Sequence, residues 1–515
     1  MDDDRIHLKR LDRKKWVTLL PQVLGALIAT SLHLVAGQIL SYSGILIPQL
    51  MEEQNNGNGS SIFVNEANSA WIASAPAFSS LIVSVPIGLL VDHIGRLRTV
   101  ILSIIPGIIG YVLIATATSV SMIIWGRIIT GVCFSKLIVR VNLYFNAFST
   151  AFLSHPTGIY ISEISHPNLR GSFLTLIQIN VSLGIVLVYL KGSFLHWRTV
   201  AWLTNVYITV PIVIMFFFLP ESPAWLVSKG HIAQARDSIA WFYKYYPASS
   251  NMVEEKVIEL IRDQERKQTD SKFEWKEQIK MFLLPTFYKP FLILMVLFCF
   301  QQNSGISIII FNSVIFFKDI GSNIDPYVAS IYLTAMKFVM SLVAALLMNK
   351  FNRRTLFMFG ALGMAVSMAI SGLNTQWIQV GESNQKWIPL ACLLLYIMFS
   401  CMGISTMPFL LSNELFPLKI RGVSYSVILS FANMMAFFVL QTYLPLYHVF
   451  GGSTNFQYFL ALMSIGTAIV MYVFLPETHN FKLIEIENHF KKHTIYLSSR
   501  YADEAKASRV MDNLL

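Results

Sequence analysis

The chain has 515 residues, of which 54% are hydrophobic and only 13% charged, a composition too apolar for a surface that water covers. Its formal charge of +10 is carried by short clusters of Lys and Arg between apolar runs, which excludes the extended basic face that tracks nucleic acid. The four cysteines, Cys133, Cys299, Cys392 and Cys401, all fall inside apolar runs and read as small core residues, not as a disulfide framework.

Met1 to Lys15 is mixed in charge and is not followed by the short apolar core and small-residue cleavage site of a signal peptide, so residues 1–20 are expected to stay as a cytoplasmic N-terminus. Runs able to cross a bilayer, about 20 residues each, lie near 21–48, 69–91, 99–118, 122–162, 173–191, 199–219, 290–317, 326–348, 355–374, 388–411, 422–445 and 455–475. They predict an all-α membrane protein of twelve spans in two six-helix halves, 21–219 and 290–475. The polar stretch 220–289 shows helical patterning over 232–246 and 253–267 with charges on one side and reads as an intracellular helical linker. Residues 476–515 make a cytoplasmic tail.

Lys and Arg in short loops set the orientation. Arg5, Lys9, Arg10, Arg13, Lys14 and Lys15 precede the first span, and Arg96, Arg98, Arg170, Lys350, Arg353, Arg354, Lys419 and Arg421 follow spans two, four, eight and ten, whereas the loop from Gln49 to Ala70 has none. Both termini are therefore expected in the cytoplasm of a multi-pass protein, with the plasma membrane as the default address. The sequon Asn58-Gly59-Ser60 then lies outside, where Asn58 is open to glycosylation.

The halves echo one another. Glu163 is followed by Arg170-Gly171 and Glu414 by Arg421-Gly422 at the same seven-residue spacing, and Pro220-Glu221 recurs as Pro476-Glu477. Parallel repeats with a site at their midplane interface are a transporter architecture. Carboxylates and arginines at matching helix ends can pair when the inner mouth closes and part when it opens, which nominates Arg96, Glu163, Arg170, Glu414 and Arg421 as a cytoplasmic gate. The plainer reading is topological anchoring and helix-dipole complementation; duplication at fixed spacing favours the gate. Asp92, three residues before Gly95, joins the gate by pinning a tight connection between spans two and three.

Inside the spans, Gln178 and the pair Gln301-Gln302 stand out. An amide both donates and accepts, which suits hydroxyl-rich solutes and is far less costly to bury than charge. A lone intramembrane Gln is more often glue between helices, but two adjacent amides followed by Ser304-Gly305 favour a ligand. No Asp or Glu lies near the middle of any apolar run, and a proton-coupled carrier needs a titratable group there, so passive facilitation is expected. His, Ser and Asp are scattered without the spacing of a nucleophile or a metal site, so no enzyme, cofactor or metal is expected.

Several motifs together resemble the sugar porter branch of the major facilitator superfamily across nearly the whole chain: Gly88-x3-Asp92-x2-Gly95-Arg96, Gly126-Arg127, Tyr160-x2-Glu163 with Arg170-Gly171, Pro220-Glu221-Ser222-Pro223, Gln301-Gln302-x-Ser304-Gly305-Ile306, Glu414-x-Phe416-Pro417 with Arg421-Gly422, and Pro476-Glu477-Thr478. Pro156-Thr157 before Tyr160 and the short loops are most similar to arthropod facilitated trehalose transporters. The resemblance implies the twelve-helix major facilitator fold and alternating access by facilitated diffusion. Gln178, Gln301 and Gln302 occupy the family's sugar-contacting positions, and Ile39 stands where proton-coupled members carry an Asp.

The chain also departs from the family. Ser307 replaces an Asn, Lys337 replaces the span-eight Asn that contacts sugar, and Phe409 replaces a Trp; Asn349 and Asn352 replace an acidic residue and a Gly. The sixteen residues 134–149 are extra in span four and read either as a true insertion or, with somewhat more weight, as a translated intron or other gene-model error. Lys337 either recognises an anionic group or snorkels to an interface. The expectation is a monomeric facilitative carrier of a neutral sugar, trehalose or a hexose, in a lipid bilayer, with substrate-binding residues Gln178, Gln301, Gln302, Ser307, Lys337 and Phe409. Its rivals are a carrier of organic anions selected by Lys337 and a non-transporting sugar sensor.

Overall fold

The computed structural model describes residues 18–56, 62–83, 93–102, 104–132, 150–165, 170–245, 249–270, 283–320, 324–347, 351–382, 384–416 and 421–474. The described residues are helical throughout, with no strand. Ten helices among them are long and apolar enough to cross a membrane, from Thr18–Asn55 to Ser453–Phe474, and they match expected spans one, three and five to twelve. Span two is represented by Glu66–Val83 and span four by Val120–Val132 and Thr150–Ile164. The extra residues 134–149, Asn58 and Asp92 lie outside the described residues.

With lipid tails as apolar as leucine, helices associate through close packing and buried polar contacts. Spans one and five show this most directly. A β-carbon on Gly37 would overlap the Val181 carbonyl, and one on Gly184 would overlap the Leu34 carbonyl, so the two backbones touch at reciprocal points. Span seven is broken. Helix Pro285–Asn303 stops at Ser304, Gly305 turns at φ +86°, and short helices Ile306–Phe311 and Ser313–Ile320 follow. Without a β-carbon, glycine adopts this left-handed conformation at no steric cost. Span ten is interrupted between Met402 and Met407.

The chain divides into two compact units: one of Met1–Leu40, Phe78–Val188 and Leu195–Glu277, the other of Ser41–Ala77, Tyr189–Phe194 and Gln278–Leu515. The boundary does not fall at the linker alone. Parts of spans one, two and five count with the second unit because they are bonded into it: Gln49 donates to the Gly192 carbonyl at 2.9 Å, Ser74 to Gln441 at 2.8 Å, and Lys318 pairs with Glu52 at 2.6 Å. Trp71 packs on Phe437 with ring centroids 5.8 Å apart.

The stretch after span six forms helices Pro223–Ser228, Ile232–Phe242 and Ser249–Asp270. Trp225, Leu226, Val227 and Ala235 make one apolar cluster and Ile239, Val253 and Val257 another, the amphipathic packing that the charge pattern implies.

Replacing Gly184 by Val forces spans one and five apart. Overpacking of this kind costs about 1–3 kcal/mol, so thermal melting of the purified variant is expected to begin well below that of the parent.

Candidate functional site

In the first unit, a polar corner joins the ends of spans three, four and six. Gly95, at φ +116°, leads into helix Arg96–Leu102. The first main-chain N–H groups of that helix point at one carboxylate: Arg96, Leu97 and Arg98 donate to Glu221 at 3.1, 2.8 and 3.1 Å. Unpaired N–H groups and the helix dipole both favour an anion here. A β-carbon at position 95 would lie 2.7 Å from Glu221 Oε2, which makes glycine the residue that admits the carboxylate.

Arg96 in turn grips Glu163 through Nε at 3.2 Å and Nη2 at 3.1 Å, with the side chains only 13% and 18% exposed. Ser222 also donates to Glu163. Tyr160 donates to the Pro220 carbonyl at 2.8 Å and Ser238 to the Glu221 carbonyl at 2.7 Å, which ties the linker helix Ile232–Phe242 to the corner. Of the expected gate residues, Arg96 and Glu163 are thus brought together. Arg170, Glu414 and Arg421 stand at the ends of Arg170–Gly192, Met407–Glu414 and Arg421–Val449; their side chains lie outside the described residues.

The same unit holds a buried polar centre. Arg127, fully buried, donates to the Ile39 carbonyl at 2.6 Å. Thr204 donates to Gln38 at 3.1 Å and Asn180 to Thr30 at 3.1 Å. Gln178 is half-buried, and its amide bonds to nothing among the described residues. In the sequence Arg127 is legible only as part of the Gly126-Arg127 motif. His33, a buried imidazole in span one, carries no fixed charge to mark it within its apolar run.

In the second unit, Gln301 is buried and its Nε2 donates to the carbonyls of Ile404 and Ser405 at 2.9 and 3.3 Å, the groups exposed by the break in span ten. Its Oε1 has no partner among the described residues. The half-buried Gln302 accepts from Ser307 at 3.3 Å. Phe409 meets Phe298 edge to face at 5.4 Å. Lys337 sits in span eight, 8% exposed. Near helix ends of this unit, Lys318 pairs with Glu52, Tyr447 donates to Asp319 at 3.1 Å, and His448 lies 3.2 Å from Glu66. Burial pushes the Asp319 carboxyl up, and the Tyr447 hydroxyl opposes the shift.

A family model described as Sugar (and other) transporter matches residues 38–490. The facilitated trehalose transporter Tret1 of Apis mellifera ligustica is 30% identical over 490 residues, covering 95% of this chain and 92% of the relative. Tret1 of Drosophila yakuba is 30% identical over 469 residues, covering 90% of this chain and 51% of the relative; the chain spans about half the length of the Drosophila relatives it matches. Among solved structures, the proton:xylose symporter XylE bound to 6-bromo-6-deoxy-D-glucose superposes with a TM-score of 0.68 at 19% identity, covering 91% of this chain and all of the other. An inward-open xylose transporter XylE from E. coli gives 0.69 at 19%, covering 90% and 98%. At that identity the likeness shows the major facilitator fold.

Removing the carboxylate of Glu221 with Ala leaves several N–H groups at a half-buried helix start without their acceptor. The loss is expected to cost about 1–2 kcal/mol, read as a lowered melting temperature, while Glu221→Gln, which keeps an acceptor oxygen, loses less.

Proposed function

The chain belongs to the sugar transporter family, and on that footing we propose that it carries a neutral sugar, a hexose or a disaccharide such as trehalose, across a membrane by alternating access and without proton coupling. It is a multi-pass membrane transporter family, not a family of enzymes. The observation that supports the absence of proton coupling most is the bond between Arg127 and the Ile39 carbonyl. Position 39 is where proton-coupled sugar porters carry an Asp, and a buried guanidinium there calls for an acceptor. Here the main chain supplies it, so no carboxylate has to gain and lose a proton during the cycle.

Sugar recognition falls to amides. Gln178 offers a half-buried amide, and Gln301 an acceptor oxygen that the span-ten carbonyls leave unused. Gln302 and Ser307 already share a hydrogen bond that a sugar hydroxyl can join or replace. Phe409 supplies an apolar face suited to a sugar ring. In this reading the Arg96–Glu163 pair holds the cytoplasmic gate of the first half, and Arg170, Glu414, Arg421 and Asp92 complete it. Both termini are cytoplasmic, Asn58 is outside and glycosylated, and a monomer in the plasma membrane is the working unit.

Uptake of radiolabelled trehalose and glucose by oocytes, with surface expression measured in parallel, tests this reading. Saturable entry down the gradient, equal at acidic and neutral external pH, is expected, and Gln301→Ala should lower it roughly three- to ten-fold. A version lacking Phe134 to Ser149 shows whether that segment is tolerated. Uptake that rises with external acidity and loses that dependence in His33→Ala would make His33 a proton carrier and overturn the facilitator.

A further inference from the structure

We propose that Lys337 forms an anion subsite that extends the substrate range of this carrier to sugars bearing a carboxylate or a phosphate. The inference rests on the sugar-carrier reading for its ligand class, and on the following geometry for its residue. Lys337 is the twelfth residue of helix Pro326–Leu347. At 1.5 Å per residue it stands about 15 Å from either end of that helix, farther than a four-carbon stem extends, so its ammonium does not snorkel to an interface. It is 8% exposed.

Its neighbours do not neutralise it. Ser341 donates to the main-chain carbonyl of Lys337 at 2.8 Å, and the Cys401 thiol lies 4.0 Å from the same oxygen; both engage the backbone and leave the ammonium aside. Among the described residues no carboxylate pairs with it, and the titratable side chain that interacts with it is Cys401. An ammonium buried without a counter-charge is costly, and the cost is relieved when an anion arrives.

Position within the unit connects this charge to the amides. Cys401 lies within one helical turn of Gly403, where span ten breaks and where Gln301 donates to the Ile404 and Ser405 carbonyls. Spans seven, eight and ten therefore meet at one level, where the Gln301 amide and the main chain of Lys337 both approach the same interruption. An ammonium there presents three donors and no acceptor, a poor replacement for an amide against a neutral hydroxyl and a good match for a carboxylate or phosphate oxygen. Bound together, lysine and a carboxylate present no net charge to the low-dielectric interior, and a phosphate has about half of its charge offset.

The experiment uses the full chain, purified in detergent for binding and expressed in oocytes for flux. Glucuronate supplies the carboxylate, glucose 6-phosphate the phosphate, and glucose the neutral reference. Thermal stabilisation is expected at concentrations at least about ten-fold lower for one or both acidic sugars than for glucose, and Lys337→Asn and Lys337→Gln should each erase that preference. The two acidic ligands tell carboxylate from phosphate recognition. An acidic-to-neutral ratio near one in the parent, or a preference that persists in both folded variants, overturns the subsite. Flux separates the two claims: glucose uptake without acidic preference sinks the subsite and keeps the carrier, whereas acidic binding lost in the variants, with no sugar moved by surface-expressed protein, keeps the subsite and sinks the carrier.

Discussion

In a bilayer every main-chain donor and acceptor must find a partner within the protein, because lipid offers none. A straight helix meets the requirement by itself; a broken one depends on side chains. Several interruptions among the described residues are met by such a side chain. Tyr396 donates to the Ser304 carbonyl where span seven stops, and Tyr189 to the Ile310 carbonyl just before its second interruption. Gln301 serves the two carbonyls freed in span ten, and Tyr160 the Pro220 carbonyl beyond span six. Polar residues in the spans thus have a structural duty first. Whatever they offer a substrate is what remains after that duty, and for Gln301 this is one acceptor oxygen.

Order among the helices follows from how closely backbones approach. The reciprocal contacts of Gly37 with Val181 and Gly184 with Leu34 lock span one to span five within the first unit. Farther along the chain, span one is held by different partners, through Gln49 and Glu52 in the second unit. The change of allegiance comes between Leu40 and Ser41, next to the irregular residue Tyr42. That irregular point is where bending of the helix is least costly.

Much of this architecture was legible in the sequence, because long apolar runs and repeated charge spacings are one-dimensional signals of three-dimensional constraints. Ten of the expected spans stand as membrane-length helices, and the family resemblance carried by the Gly126-Arg127, Pro220-Glu221 and Gln301-Gln302 motifs agrees with the family match. Less legible was how polar side chains divide their bonds. Nothing in the spacing indicates that Glu221 caps the helix beginning at Arg96, since it lies 123 to 125 residues from the N–H groups it serves. Nor does a pattern distinguish the amide of Gln301, committed to span ten, from that of Gln178, which is uncommitted. His33 is not legible for a chemical reason: imidazole sits in an apolar run as a half-polar ring, without the fixed charge that marks a carboxylate.

The bond between Arg127 and Ile39 has an evolutionary side. Its acceptor is a peptide oxygen, which every amino acid supplies, so the side chain at position 39 is free of electrostatic duty and selection there acts on shape alone. An acidic residue arising at that position would enter a pocket already furnished with its counter-ion. The fold therefore keeps a route open between two energetic regimes, one driven only by the solute gradient and one able to draw on an ion gradient, with span four left as it is.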